Sequence, residues 1–189
     1  NGANLGSLTL ATLTIVDNDG AGLIQFSSIE YDVNEDGEVI AITVKRVDGK
    51  SGEVTVDFSI SDGSATSDQD YTLISGTLTW LSGDETDKSF NIQIIDDYVI
   101  ETDEIINLSL TNATNGANLG IQKIANVKIL DNDSAGIVQF KAINYEISEG
   151  GDSITVSASR TDGKGAEVSV DYIIVGGTAT DEQDYIFTT

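Results

Sequence analysis

Carboxylates crowd a few short stretches of this chain. Residues 96–104 read DDYVIETDE, residues 67–71 SDQDY and residues 34–38 NEDGE, and an Asp-Asn-Asp triplet stands at 17–19 and again at 131–133. Acids at such spacing serve two kinds of chemistry. A pair flanking a sugar linkage cleaves it by acid and base catalysis. A larger cluster ligates a hard cation. The stretches sit between apolar runs, on loop tips, with no evident sugar-binding aromatics. Hydrolysis is therefore disfavoured, and the chain is read as no enzyme. Two like charges about 4 Å apart repel by about 4 kcal/mol at an effective dielectric of about 20. Loops that bring several together need a cation between them. Ca²⁺ fits, with 6–8 oxygen ligands and tolerance of irregular geometry, whereas Mg²⁺ prefers strict octahedra. Zinc wants His or Cys, and the chain has neither. The triplets do not open an EF-hand loop, which ends in a glutamate at its twelfth position that neither stretch has.

The second triplet follows the first by 114 positions, as Asp131 follows Asp17, and the flanking text keeps that interval. NGANLG recurs at 1–6 and 115–120. GEVTVDFSI at 52–60 returns as AEVSVDYII at 166–174, and GSATSDQDY at 63–71 as GTATDEQDY at 177–185. The chain is thus a window onto a tandem array of 114-residue repeats. Residues 1–19 read as the last strand of a preceding unit, 20–133 as a complete unit, and 134–189 as the first half of a following one. The third unit has equivalents of the first three strands only. It is expected to be incomplete as it stands, with truncation, disorder or coverage by a partner near Thr189.

What must position the acids is a sheet structure. Apolar residues alternate with polar ones in Val54–Ile60, Phe90–Ile94 and Ile106–Leu110, the period of a strand with one buried face. Further strands fall near Leu23–Ser28, Val39–Val47, Thr77–Trp80 and Ile121–Leu130, between turns rich in Gly, Asp and Asn. About seven antiparallel strands in one unit predict an all-β, immunoglobulin-like sandwich. The first strand is expected to bend near Ser28–Glu30 and switch sheets. Trp80 and Tyr71 are read as core and core edge.

If direction alternates, the loops after the first, third and fifth strands share one pole, and the seventh strand ends there. That pole collects Glu35, Asp68, Asp70, Asp96, Asp97, Glu101, Asp103, Glu104 and Asp131–Asn132–Asp133. The opposite pole is milder and carries Lys50 and Lys88. With an odd strand number, the chain enters at one pole and leaves at the other, so successive units stack as a rod.

Composition excludes several partners. There are 32 Asp+Glu against 9 Lys+Arg, a formal charge of −23. Nucleic acids and anionic membranes both require basic surface. The absence of Cys removes disulfides and thiolate nucleophiles, and the absence of His removes the commonest general base. No apolar run approaches the ~18 residues that span a bilayer, so no direct membrane insertion is expected.

At VNEDGE (33–38), GSATSDQDY (63–71), SGTLTW (75–80), IIDDYVIETDEIINLSL (94–110) and VKILDND (127–133), the chain resembles the Calx-beta family. These repeats occur in sodium–calcium exchangers, in an integrin beta subunit and in large bacterial surface proteins. The resemblance covers the whole chain and implies the same sandwich. It further implies Ca²⁺ ligands at Glu35, Asp70, Asp96, Asp97, the Val99 carbonyl, Glu101, Glu104, Asp131, Asn132 and Asp133. Glu149 and Asp184 are the third-unit equivalents, and Asp17, Asn18 and Asp19 those of the first. Asn132 stands where the fullest family pattern has Asp, at the cost of one charge.

The functional expectation is a calcium-binding structural repeat of an extracellular or cell-surface protein such as an adhesin, matrix or filament component. Its partners would be calcium ions and neighbouring repeats, with the adhesion ligand left open. The alternatives are a regulatory calcium sensor of a membrane protein and a non-catalytic stalk of a secreted enzyme.

Overall fold

The computed structural model describes residues 2–15 and 19–187; Asp17 and Asn18, and the neighbourhood of Thr189 where truncation was expected, lie outside the described residues. The strands are β1 (Leu23–Phe26), β2 (Glu30–Asn34), β3 (Val39–Val47), β4 (Val54–Asp62), β5 (Ser75–Trp80), β6 (Lys88–Gln93), β7 (Glu104–Thr111), β8 (Asn118–Leu119), β9 (Ile124–Leu130), β10 (Ile137–Phe140) and β11 (Ala158–Thr161). A 3₁₀ turn, Glu35–Gly37, follows β2. No helix among the described residues is long and apolar enough to cross a membrane.

Residues 21–133 form the expected sandwich. One sheet has the order β6-β3-β1-β8 and the other β2-β9-β7-β4-β5. The alternation read from sequence is the alternation of burial. Val54, Val56, Phe58 and Ile60 of β4, and Ile106, Leu108 and Leu110 of β7, face inward. Phe58 crosses to stack on Phe90 of the facing sheet, with ring centroids 3.9 Å apart. Trp80 is fully buried, and its indole N–H donates to the Thr86 carbonyl at 2.8 Å. Burying each such side chain contributes about 1.5–3 kcal/mol.

The first strand switches sheets as expected. β1 pairs with β3, and after a bend in which the Ser28 hydroxyl donates to the Glu30 carbonyl, β2 pairs with β9 in the other sheet. The last strand is divided the same way, β8 against β1 and β9 against β2 and β7. Both first-to-last pairings are parallel. The sandwich is therefore antiparallel within and parallel along its closing seam. Alternation of side chains fixes which residues face inward, but it carries no direction of pairing.

The pole opposite the acids is knotted by Arg46, which is 3% exposed. Its guanidinium donates to five carbonyls: Ala21 at 3.0 Å, Leu81 at 3.4 Å, Asp84 at 3.2 Å, Ser51 at 2.9 Å and Gly52 at 3.1 Å. One planar fork thus holds three segments that have no ladder of their own.

In residues 134–187, β10 and β11 repeat the register of β1 and β3, with Ile137 opposite Thr161 as Leu23 is opposite Val47. Arg160 takes the place of Arg46 and donates to Ala135, Gly165 and Ala166 carbonyls. Residues 168–175, which match β4, form no strand, and Ile173 and Val175 are exposed. β4 is held between β5 and β7. Nothing in 134–187 matches either of these strands.

Candidate metal centre

The closing seam builds the acidic pole. β2 and β9 run parallel in a register that places Asn34 beside Leu130. The residues that follow each strand, Glu35 and Asp131–Asp133, therefore emerge together. β7 starts with Glu104 opposite Ile129, which brings the end of the 95–103 loop to the same edge. The 63–73 loop is laced in by a Tyr71–Ile94 bridge and by the Ile95 N–H donating to the Asp70 carbonyl at 2.9 Å. Asp62 shapes that loop: its carboxylate accepts from the Ser67 N–H at 2.9 Å and from the Tyr71 hydroxyl at 2.6 Å. Tyr71 itself is fully buried.

Two groups of three acids result. Glu35, Asp97 and Asp133 form one, and Asp70, Glu101 and Glu104 the other; within each, one carboxylate oxygen per residue lies within 4.8 Å of the rest. A small hollow lined by Glu35, Asp70, Glu101, Glu104 and Asp131 runs between them. Asp131 braces the site, accepting from the Asp133 N–H at 3.0 Å and the Glu101 N–H at 3.2 Å. Among the described residues, Asp133 Oδ2 is buried and has no hydrogen-bond partner. A buried carboxylate oxygen is costly unless something binds it.

The neighbours leave their mark on protonation. Burial, and then the Asp97 carboxylate, push Glu35 up to about 7. Burial and then Asp70 push Glu104 up to about 7. Glu101 and Asp133 are also raised, each by burial first and adjacent carboxylates second. Asp103 is an exception: its salt bridge to Lys128, at 2.6 Å, holds it below the usual carboxylate range. The donor set is all oxygen and strongly anionic, which suits a hard divalent cation with several ligands.

Other residues expected at the site lie elsewhere or play smaller parts. Asp96 lies close enough for its charge to act on Asp133. Asn132 is exposed. The Val99 N–H donates to the Asp97 carboxylate. Asp19 lines a hollow at the opposite pole, with Asp48, Lys50 and Glu85. Glu149 and Asp184 are exposed and join no triple of acids among the described residues. Asp184 does repeat a local turn, accepting from the Thr180 N–H at 2.7 Å as Asp70 accepts from Thr66 at 2.6 Å. Asp17 and Asn18 lie outside the described residues. Sequence reasoning missed Asp62 and Arg46. The signal for Arg46 was present, since both arginines of the chain sit 114 positions apart, at 46 and 160.

The raised glutamates give the cation-free protein a defined pH response. Folded Glu35 and Glu104 keep protons that unfolded glutamates have already lost, so the fold binds more protons between their unfolded and folded pKa values. Their stabilising contribution is full below about 4.5 and disappears as pH rises through about 7. With chelator present, the melting temperature should fall from pH 5 to pH 8. Glu35→Gln should flatten part of that fall. A melting temperature that is level or rising over this range would refute the account.

The comparisons with known proteins agree with the geometry. The sequence model described as the Calx-beta domain matches residues 17–133 and 131–189. The adhesion G-protein coupled receptor V1 of Danio rerio is 35% identical over 179 residues, covering 91% of this chain and 3% of the receptor. The sodium/calcium exchanger Calx of Drosophila melanogaster is 32% identical over 160 residues, covering 85% of this chain and 17% of the exchanger. Among solved structures, the apo-form Calx CBD1 domain aligns with a TM-score of 0.56 at 32% identity, covering 58% of this chain and 96% of that domain. The calcium binding domain CBD12 of CALX1.1 aligns with a TM-score of 0.57 at 33% identity, covering 67% of this chain and 51% of that one. The chain therefore spans a small part of the curated relatives it matches. With its sandwich, its acidic pole and its match along nearly the whole length, the chain belongs to the Calx-beta domain family.

Proposed function

We propose that this chain is a calcium-binding structural repeat of an extracellular or cell-surface protein, in which ions at the junction between units stiffen a rod. The ligands in this reading are Glu35, Asp97 and Asp133 for one ion and Asp70, Glu101 and Glu104 for another, with Asp131 bracing both. Asp96 and Asn132 lie at the margin. The observation that carries it is the buried, unpartnered Asp133 Oδ2 within one of two triples of carboxylates. The layout of 1–19, 20–133 and 134–189 as consecutive units of an array belongs to the same reading. So does the absence of catalysis.

Asp133 ends the middle unit, and β10 of the next begins at Ile137. The connector Ser134–Gly136 is fastened to the following unit: the Ser134 hydroxyl donates to the Asp162 carbonyl, and the Gly165 N–H donates to the Ser134 carbonyl at 3.1 Å. A cation beside Asp133 then sits directly at the hinge.

A second reading is a regulatory calcium sensor, favoured by the similarity to exchangers and to a solved tandem calcium-binding domain. Affinity separates the two. Extracellular modules bind near 10⁻⁴–10⁻³ M and sensors near 10⁻⁷–10⁻⁵ M. Calorimetric titration with calcium, alongside small-angle scattering with and without it, is the test. The rod requires weak binding and a narrower distribution of shapes with calcium; binding below about 10⁻⁵ M supports the sensor instead.

A further inference from the structure

The tip of the 95–103 loop is apolar amid acids: Tyr98, Val99 and Ile100 are all exposed by about half. It does not face solvent alone. The Lys164 ammonium lies 4.8 Å from the centre of the Tyr98 ring and 3.4 Å from its hydroxyl. Lys164 belongs to the turn after β11, which meets the middle unit at Tyr98. The adjoining Gly165 is buried. A Cβ on Gly165 would lie 2.6 Å from Ile100 Cγ1 and 2.9 Å from the Tyr98 carbonyl oxygen. Its φ is outside the left-handed region, so a side chain would be refused by the neighbouring loop and not by its own backbone.

The middle unit carries the same turn 114 positions earlier, between β3 and β4, DGKS at 48–51 against DGKG at 162–165. Lys50 matches Lys164, but Ser51 stands at the place of Gly165 and is exposed. The turn thus occurs in two versions, with a glycine against a close neighbour at 165 and an exposed serine at 51.

We propose that this turn is the docking seat for the aromatic-tipped acidic loop of the repeat before it, and that the residue at the Gly165/Ser51 position sets how closely that repeat packs. The lysine ammonium holds the aromatic ring by cation–π attraction, and glycine admits the loop backbone. Successive junctions of the array accordingly have two geometries, close at Gly165 and wider at Ser51. This rests on the reading of the units as a stacked array and is independent of which cation the acidic pole holds.

The chain has no cysteine, so Ser59→Cys and Asp152→Cys, one exposed position in each unit, can carry a pair of spin labels. The distance distribution between them reads the junction. Gly165→Ser should shift the distribution to longer distances and broaden it. Adding Ile100→Ala, which removes the nearer obstruction but leaves the Tyr98 carbonyl oxygen, should restore part of the original distribution. Tyr98→Ala should broaden it without that rescue. A Gly165→Ser distribution identical to the unsubstituted one overturns the proposal. Each sample is measured with excess calcium and with chelator. An unsubstituted chain whose distribution is the same in both sinks calcium stiffening, while a shift by Gly165→Ser in both still upholds the seat.

Discussion

Excess calcium should raise the melting temperature of the chain, and Asp97→Ala with Glu101→Ala should remove most of the rise. One residue is taken from each triple, so both proposed sites lose a ligand. A ligand that binds only the folded state adds about 2.7 kcal/mol at 100 times its dissociation constant. For a domain of this size that amounts to roughly 10 °C. The sign of the control matters more than the size. In chelator the double variant should melt above the unsubstituted chain, because two repelling carboxylates have gone from a pole whose neighbours already raise Glu101 and Glu35. In calcium the order should invert. Magnesium should give a smaller rise, since it holds its water and demands regular octahedra. Thermal unfolding under the three conditions is the measurement. Curves that do not cross between chelator and calcium would return the acids to the role of solvating charge.

Arg46→Ala should be among the most damaging single substitutions in the middle unit, although it touches no acid of the candidate site. It would strip five carbonyls of their donor and leave a cavity where a 3%-exposed side chain had been. Leaving a buried acceptor without its donor costs about 1–3 kcal/mol. Arg46→Lys should recover only part, because an ammonium offers three donors and no fork. Chemical denaturation should show the midpoint falling in that order while calcium still protects both variants. An Arg46→Ala midpoint within experimental error of the parent would show that water replaces the guanidinium without cost.

The acidic pole was legible in the sequence because the argument needed only strand parity. Alternation in Val54–Ile60 and Ile106–Leu110 set the inward faces, and counting strands placed three loops and the end of the last strand together. What parity cannot supply is register. The division into two triples depends on Asn34 lying beside Leu130 and Glu104 opposite Ile129. It also depends on the Asp103–Lys128 pair drawing one acid aside. Arg46 escaped for a different reason: its partners are all backbone carbonyls, which no pattern of side chains announces. The strand expected to continue from Val168 did not form, since alternation marks a face but cannot provide the neighbours that face requires.

The parallel seam also decides how the unit meets a pull along the array. The chain comes in through β1 and β2 and goes out through β9, and β2 and β9 point the same way. Tension drawing the two ends apart therefore drags these strands past each other lengthwise. The five paired positions from Glu30↔Asn126 to Asn34↔Leu130 share that load at once, where a hairpin pulled from its open end would give way one bond at a time. Resistance to force is set by the barrier to unfolding and not by equilibrium stability. The last rung of this ladder adjoins Glu35 and Asp131, so a cation joining the two strand ends would fasten the line along which the strands would shear.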